Sequence, residues 1–91
     1  MPKATKITVK GKVQGVYYRA STREKATELK VNGWCKNLPN GDVQIHAEGD
    51  SDSIEELIQW CHQGPTYAVV TEVLTEEVNS EGFETFSIQW G

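Results

Sequence analysis

The sequence predicts an α+β domain, ordered βαββαβ with a short extra strand at its C-terminus and both helices on one face of a mostly antiparallel sheet. Three observations point to this class. Several stretches alternate polar and apolar residues with the period of a half-buried strand, beginning with Lys6-Ile7-Thr8-Val9-Lys10. Two others place residues on one face at helical spacing: Thr22, Ala26 and Leu29, then Ile54, Leu57, Ile58 and Cys61. A chain of 91 residues makes one core, with room for a single layer of helix against the sheet.

Taken in order, the first strand centres on Lys6–Lys10, and the segment GKVQGVYYR, Gly11 to Arg19, follows as a loop. The first helix has a capping-box sequence at Ser21-Thr22-Arg23-Glu24, with a start as early as Tyr18 also open, and Asn32-Gly33 is its expected end. Trp34 to Leu38 is the second strand, and Pro39-Asn40-Gly41 is a hairpin turn, since Pro presets one corner and Gly accepts positive φ. In the third strand Val43, Ile45 and Ala47 face the core while Gln44, His46 and Glu48 form a wet face. Residues 49–53 offer several N-caps for the second helix, and Gly64-Pro65 stops it. Ala68 to Val78 contains the fourth strand, Asn79 to Gly82 is a loop, and Phe86, Ile88 and Trp90 alternate in the closing strand. This is the ferredoxin-like plan. Its first two strands are parallel, joined by a right-handed crossover, so their C-terminal ends share one edge of the sheet. The topology therefore brings Asn37 near Arg19, 18 positions away in the chain.

Charge is segregated along the chain. All nine Lys and Arg lie at or before Lys36 with only Glu24 and Glu28 against them, a net +7, whereas residues 37–91 carry eleven acids and no Lys or Arg, a net −11. The basic segment surrounds the glycine-bearing loop, which favours a small anion there, while the acidic remainder repels a nucleic-acid backbone. No apolar run is long enough to span a bilayer, and the N-terminus MPKATKITVK lacks a signal peptide's apolar stretch, so a cytoplasmic protein is expected. Cys35 and Cys61 form no CxxC pair and read as free, buried thiols, with a bridge between them the lesser alternative.

Glycines at 11 and 15 allow successive backbone N–H groups to turn inward as an anion nest, a helix N-terminus follows, and the Arg19 guanidinium matches two phosphate oxygens. The alternatives for the same residues are a turn glycine and a surface arginine. Neither GxxxxGK[ST] nor GxGxxG occurs. A thiolate phosphatase loop needs its cysteine where Val13 stands, and Ser21 and Thr22 have no histidine nearby to activate them. His46 and His62 read as structural, as do Asp42, Asp50 and Asp52, and no metal ligand set is expected. An anion site without a nucleophile or general acid suits a substrate whose leaving group departs unprotonated. A carboxylate, with a conjugate-acid pKa of about 4, is such a group. Hydrolysis of an acyl phosphate then requires phosphate binding, charge stabilisation and a positioned water. Asn37 is the candidate to position that water; its alternative is to cap its own turn.

Val9 to Arg19, VKGKVQGVYYR, resembles the first acylphosphatase signature, and Gly33-Trp34-Cys35-Lys36-Asn37, with Gly41, Val43 and Gly49, resembles the second. Gly64-Pro65 and Phe86-Ser87-Ile88 also fit, so the resemblance covers almost the whole chain and defines an expected domain over residues 5–91. It implies a monomeric, metal- and cofactor-free hydrolase of ferredoxin-like fold that splits small acyl phosphates into carboxylate and phosphate. It assigns phosphoryl binding to Arg19 and to the backbone amides of Gln14, Gly15, Val16, Tyr17 and Tyr18, and water orientation to Asn37. Three residues depart from the pattern: Tyr18 where Phe is usual, Tyr17 where Gly is common, and Gln89 where Arg is common. Two other functions compete: a non-catalytic anion or RNA binder, and an accessory domain acting on carbamoyl phosphate in a larger enzyme.

Overall fold

A computed structural model describes residues 2–89. The elements are β1 (Pro2–Lys12), α1 (Tyr18–Glu28), β2 (Asn32–Asn37), β3 (Val43–Asp50), α2 (Ser51–Gln63), β4 (Val69–Val78) and β5 (Phe86–Gln89). Trp90, expected in the closing strand, lies outside the described residues. The five strands form one sheet in the order β4-β1-β3-β2-β5. β3 is antiparallel to both β1 and β2, so β1 and β2 point the same way; β5 joins β2 in parallel. This is the expected α+β architecture.

The core lies between the sheet and the helices. Ile7 and Val9 of β1, Cys35 of β2, and Val43, Ile45 and Ala47 of β3 project towards Ala26 of α1 and Ile54, Leu57 and Cys61 of α2, all buried in one cluster. Truncating one of the large aliphatics here, such as Leu57→Ala, costs about 2–5 kcal/mol through lost transfer energy and the cavity left behind.

Three local expectations are corrected. Of the two starts left open for α1 the structure takes the earlier, at Tyr18, and not the Ser21 capping box: Tyr17 is the N-cap residue and Ser21 lies inside the helix, its N–H bonded to the Tyr17 carbonyl at 3.0 Å. Nor does α1 end at Asn32-Gly33. It stops at Glu28, the chain reverses through Leu29 and Lys30, and Val31 N–H closes onto Ala26 O at 2.8 Å, so that Asn32 opens β2. Lys30 takes the left-handed conformation (φ 62°) expected of a helix-terminating glycine.

The third correction concerns the supposed wet face of β3. His46 and Glu48 are both buried, because the loop between β4 and β5 folds over them. The Glu48 carboxylate accepts main-chain N–H bonds from Glu81 (2.5 Å), Gly82 (3.1 Å) and Phe83 (3.2 Å), and its Oε2 lies 2.7 Å from His46 Nε2. The His46 ring stacks on Trp34 and meets the edge of Phe83. One buried carboxylate thus has its oxygens satisfied by three loop amides, which pin residues 81–83 over the sheet.

Candidate active site

The sheet register sets the site. Val43, the first residue of β3, pairs with Val9 on one side and with Asn37 on the other. Asn37 therefore lies level with Val9, at the sheet end from which the β1–α1 loop departs. Being two residues on from buried Cys35, it sends its side chain to the helix-bearing face, beneath the start of α1. The Cys35 thiol reaches the Arg19 carbonyl at 3.7 Å, which holds the first turn of α1 over β2.

Gly11 belongs to the sheet and not to the loop. It sits at a bulge in the β1–β4 ladder with φ 125°, and a Cβ there would lie 2.1 Å from the Val69 carbonyl oxygen. Its role is close backbone approach, which corrects its expected part in the anion nest. The turn itself is made by Gly15 (φ 74°) and Tyr17 (φ 62°), both left-handed. Interrupting an ordinary backbone with such residues turns consecutive N–H groups to one side. No side chain caps α1 and no acid lies in its first turn. Among the described residues, no turn or loop bond is donated by the main-chain N–H of residues 14–17. The positive end of the helix dipole and the orphan amides of the first turn point at the same place.

The loop is held at both ends. Gln14 Nε2 donates to Leu38 O (2.9 Å) and Asp42 O (3.0 Å), tying the loop to the β2–β3 turn just beyond Asn37. That turn is braced by Asp42, which bonds Lys10 Nζ at 2.8 Å and Asn40 Nδ2 at 3.2 Å. At the other end the Tyr18 ring is buried, and its hydroxyl donates to the Cys61 carbonyl at 2.7 Å. The hydroxyl that departs from the expected Phe thus has a partner. Burial and the neighbouring Cys61 push the Tyr18 phenol far above its ordinary pKa, so it stays a neutral donor. Burial likewise raises the Cys35 thiol to about 12 against the opposing pull of Arg19 and Arg23, which rules it out as a thiolate nucleophile at neutral pH.

A cleft of about 400 Å³ opens over this loop. Gly15, Tyr17, Tyr18, Arg19 and Asn37 line it, so five of the seven candidate residues meet in one place. Of the other two, Gln14 turns its side chain to the β2–β3 turn and Val16 is buried in the core, leaving only their backbones to serve the loop. The apolar walls, Val13, Ala20 and Ile88, were not among the candidates. The alternation in β5 gave a signal for Ile88, which shares a face with Phe86 and pairs with Cys35. The Gln14 clamp left no such signal, because it depends on a turn 24 residues away.

Asn37 Oδ1 is buried with no hydrogen-bond partner among the described residues. An unsatisfied buried carbonyl costs about 1–3 kcal/mol. Here the acceptor lies in the same cleft as a guanidinium and a helix N-terminus. Such a cleft can hold a tetrahedral oxyanion on its donors and a water on its acceptor. Among the described residues no group of three or more His, Cys, Asp or Glu is placed to hold a metal ion.

Comparisons with known proteins converge on one family. The family model described as acylphosphatase matches residues 5–88. A curated acylphosphatase of Marinobacter nauticus is 56% identical over 72 residues, 79% of this chain and 78% of that protein. The solved acylphosphatase of Coxiella burnetii superposes with a TM-score of 0.94 at 44% identity, covering 97% of this chain and 93% of that one. The crystal structure of acylphosphatase from Bacillus subtilis gives 0.92 at 34% identity, covering 98% and 99%.

Proposed function

The chain belongs to the acylphosphatase family, and from that premise we propose how its residues hydrolyse an acyl phosphate. The phosphoryl group sits in the loop, its oxygens taking N–H bonds from the backbone of Gln14, Gly15, Val16, Tyr17 and Tyr18 and a two-pronged bond from Arg19. The Asn37 carboxamide oxygen accepts a hydrogen bond from the attacking water. That bond turns a water lone pair towards phosphorus, on the side opposite the acyl oxygen. As the P–O bond to the acyl group breaks, charge collects on the equatorial oxygens, where the amides and the guanidinium already point. The carboxylate leaves without protonation, so no general acid is required. The water's proton passes to solvent or to phosphate as orthophosphate forms.

The single observation that carries this reading is the unpartnered Asn37 Oδ1 in the cleft it shares with Arg19. A purely structural asparagine at a strand end would bond its own turn; here the β2–β3 turn is served instead by Gln14, Asn40 and Asp42. The domain spans residues 5–91 and acts as a monomer in the cytoplasm on a small molecule, without metal or cofactor and without nucleic acid. In support, the acidic residues of the second half of the chain disfavour a polyanion, and among the described residues no helix is long and apolar enough to cross a membrane.

The test is hydrolysis of benzoyl phosphate in EDTA. Arg19→Ala and Asn37→Ala are expected to lose about 100- to 1,000-fold or more in kcat while remaining folded by circular dichroism. Arg19→Lys recovers only part of the loss, because a point charge does not replace the fork. Full activity in Asn37→Ala would refute the water assignment, and activity that vanishes with EDTA would refute the metal-free route.

A further inference from the structure

The phosphoryl chemistry uses the backbone of Tyr17 but does not explain its side chain. The residue holds φ 62° and ψ 23°, a conformation that disfavours any side chain with a Cβ and suits glycine. Its backbone would serve the phosphate loop equally well without a ring. Yet the ring is present, faces the cleft and is 82% exposed, so it contributes nothing to the core. Strain of this kind, kept at a binding site with no packing return, points to a role for the side chain.

The neighbouring walls say what that role is. Beside the polar floor of Arg19 and Asn37, the cleft is bounded by Ala20 and Ile88, apolar side chains with no hydrogen-bonding group, and backed by Val13, which is itself buried in the core. A phosphoryl group held on the loop must direct its acyl substituent away from the amides, out of the cleft, past Tyr17 and these walls. A bare methyl is too short to cover the ring; a planar or branched apolar group can lie across it and remove it from water.

We propose that Tyr17 is a specificity-determining residue that, with Ile88, forms an acyl subsite favouring acyl phosphates with an aromatic or bulky apolar acyl group over acetyl phosphate. The inference rests on the phosphoryl-site reading above and deepens it. Contact with the ring forms on binding and persists while the P–O bond breaks, so it raises kcat/KM chiefly through KM.

The experiment compares kcat/KM for benzoyl and acetyl phosphate in the native chain, Tyr17→Gly, Tyr17→Asn and Tyr17→Phe. Glycine and asparagine both accept the left-handed backbone, so both remove the ring without forcing the loop to move. The ratio of the two substrates cancels any general change in the loop. It should fall about 3- to 10-fold in Tyr17→Gly and Tyr17→Asn, with the change in KM for benzoyl phosphate, and stay within about two-fold in Tyr17→Phe. A ratio that is unchanged in the ring-less variants, or that falls as far in Tyr17→Phe, overturns the proposal. A native chain that hydrolyses neither compound overturns the phosphoryl-site reading itself, a result separate from the ratio.

Discussion

Replacing Tyr18 by Phe removes one oxygen atom from the interior and tests how the phosphate loop is anchored. Helix α2 ends at Gln63, and carbonyls in its last turn lack helical partners. The Trp60 carbonyl is capped by Gly64 N–H at 2.8 Å, and the Cys61 carbonyl by the Tyr18 hydroxyl at 2.7 Å. A typical buried bond contributes about 0.5–1.5 kcal/mol net, and leaving its acceptor unsatisfied costs about 1–3 kcal/mol. The Phe ring itself still fits, packed 5.5 Å from Trp60. The expected loss is therefore about 1–2 kcal/mol, not the 3–5 kcal/mol of deleting an aromatic outright. With an m-value of about 1 kcal/mol/M, the urea midpoint should fall by about 1–2 M with m unchanged. The ring still fixes the start of α1, so kcat/KM on benzoyl phosphate should change by less than about three-fold. A midpoint within about 0.3 M of the native value would show that the hydroxyl contributes no net stability and refute the capping argument.

Other outcomes follow from the same geometry. Gln14→Ala frees the loop from the turn beyond Asn37, and a shift of the phosphate relative to the water should lower kcat/KM about ten-fold or more, measured on benzoyl phosphate. Burial pushes the Glu48 carboxyl up, but His46 and the amides of Glu81, Phe83 and Gly82 outweigh it and hold the pKa below the usual value. Its contribution to stability is thus complete above the unfolded pKa of about 4.3 and is lost as pH falls towards the lower native value. Glu48→Gln should be less stable at neutral pH and show a flatter acid limb in urea titrations between about pH 5 and pH 3; an unchanged limb would remove Glu48 from the account. Cys35 and Cys61 are buried, unbridged thiols, each raised to about 12 by burial. A thiol reagent at about pH 8 should label neither in the native protein and both in denaturant; fast native labelling of Cys35 would mean the core between β2 and α1 opens readily.

The strands and helices were legible because their apolar periods were strong, and the pairing of Arg19 with Asn37 was legible because parallel β1 and β2 must end on one edge. What escaped the sequence depended on contacts distant along the chain. Gln44, His46 and Glu48 alternate as an exposed face would, and nothing local says that residues 81–83 return to cover two of them. The sequence left two starts open for α1, and the one at Tyr18 holds; the Ser21 capping box misled because the true first turn carries no side-chain cap, as suits a helix start left open to a ligand. Asn32-Gly33 looked like a helix stop, but Lys30 makes the reversal, and Gly33 is required where a Cβ would strike the His46 carbonyl at 1.7 Å.

The acids that make this chain electronegative gather partly on its outermost strand. β4 borders the sheet with β1 on one side only, and Glu72, Glu76 and Glu77 stand exposed along it. Two copies approaching through that border would bring like charges together before any intermolecular ladder formed. Neutralising those carboxylates in acid withdraws the guard, so self-association into cross-linked sheets should begin on the acidic side before the domain has fully melted.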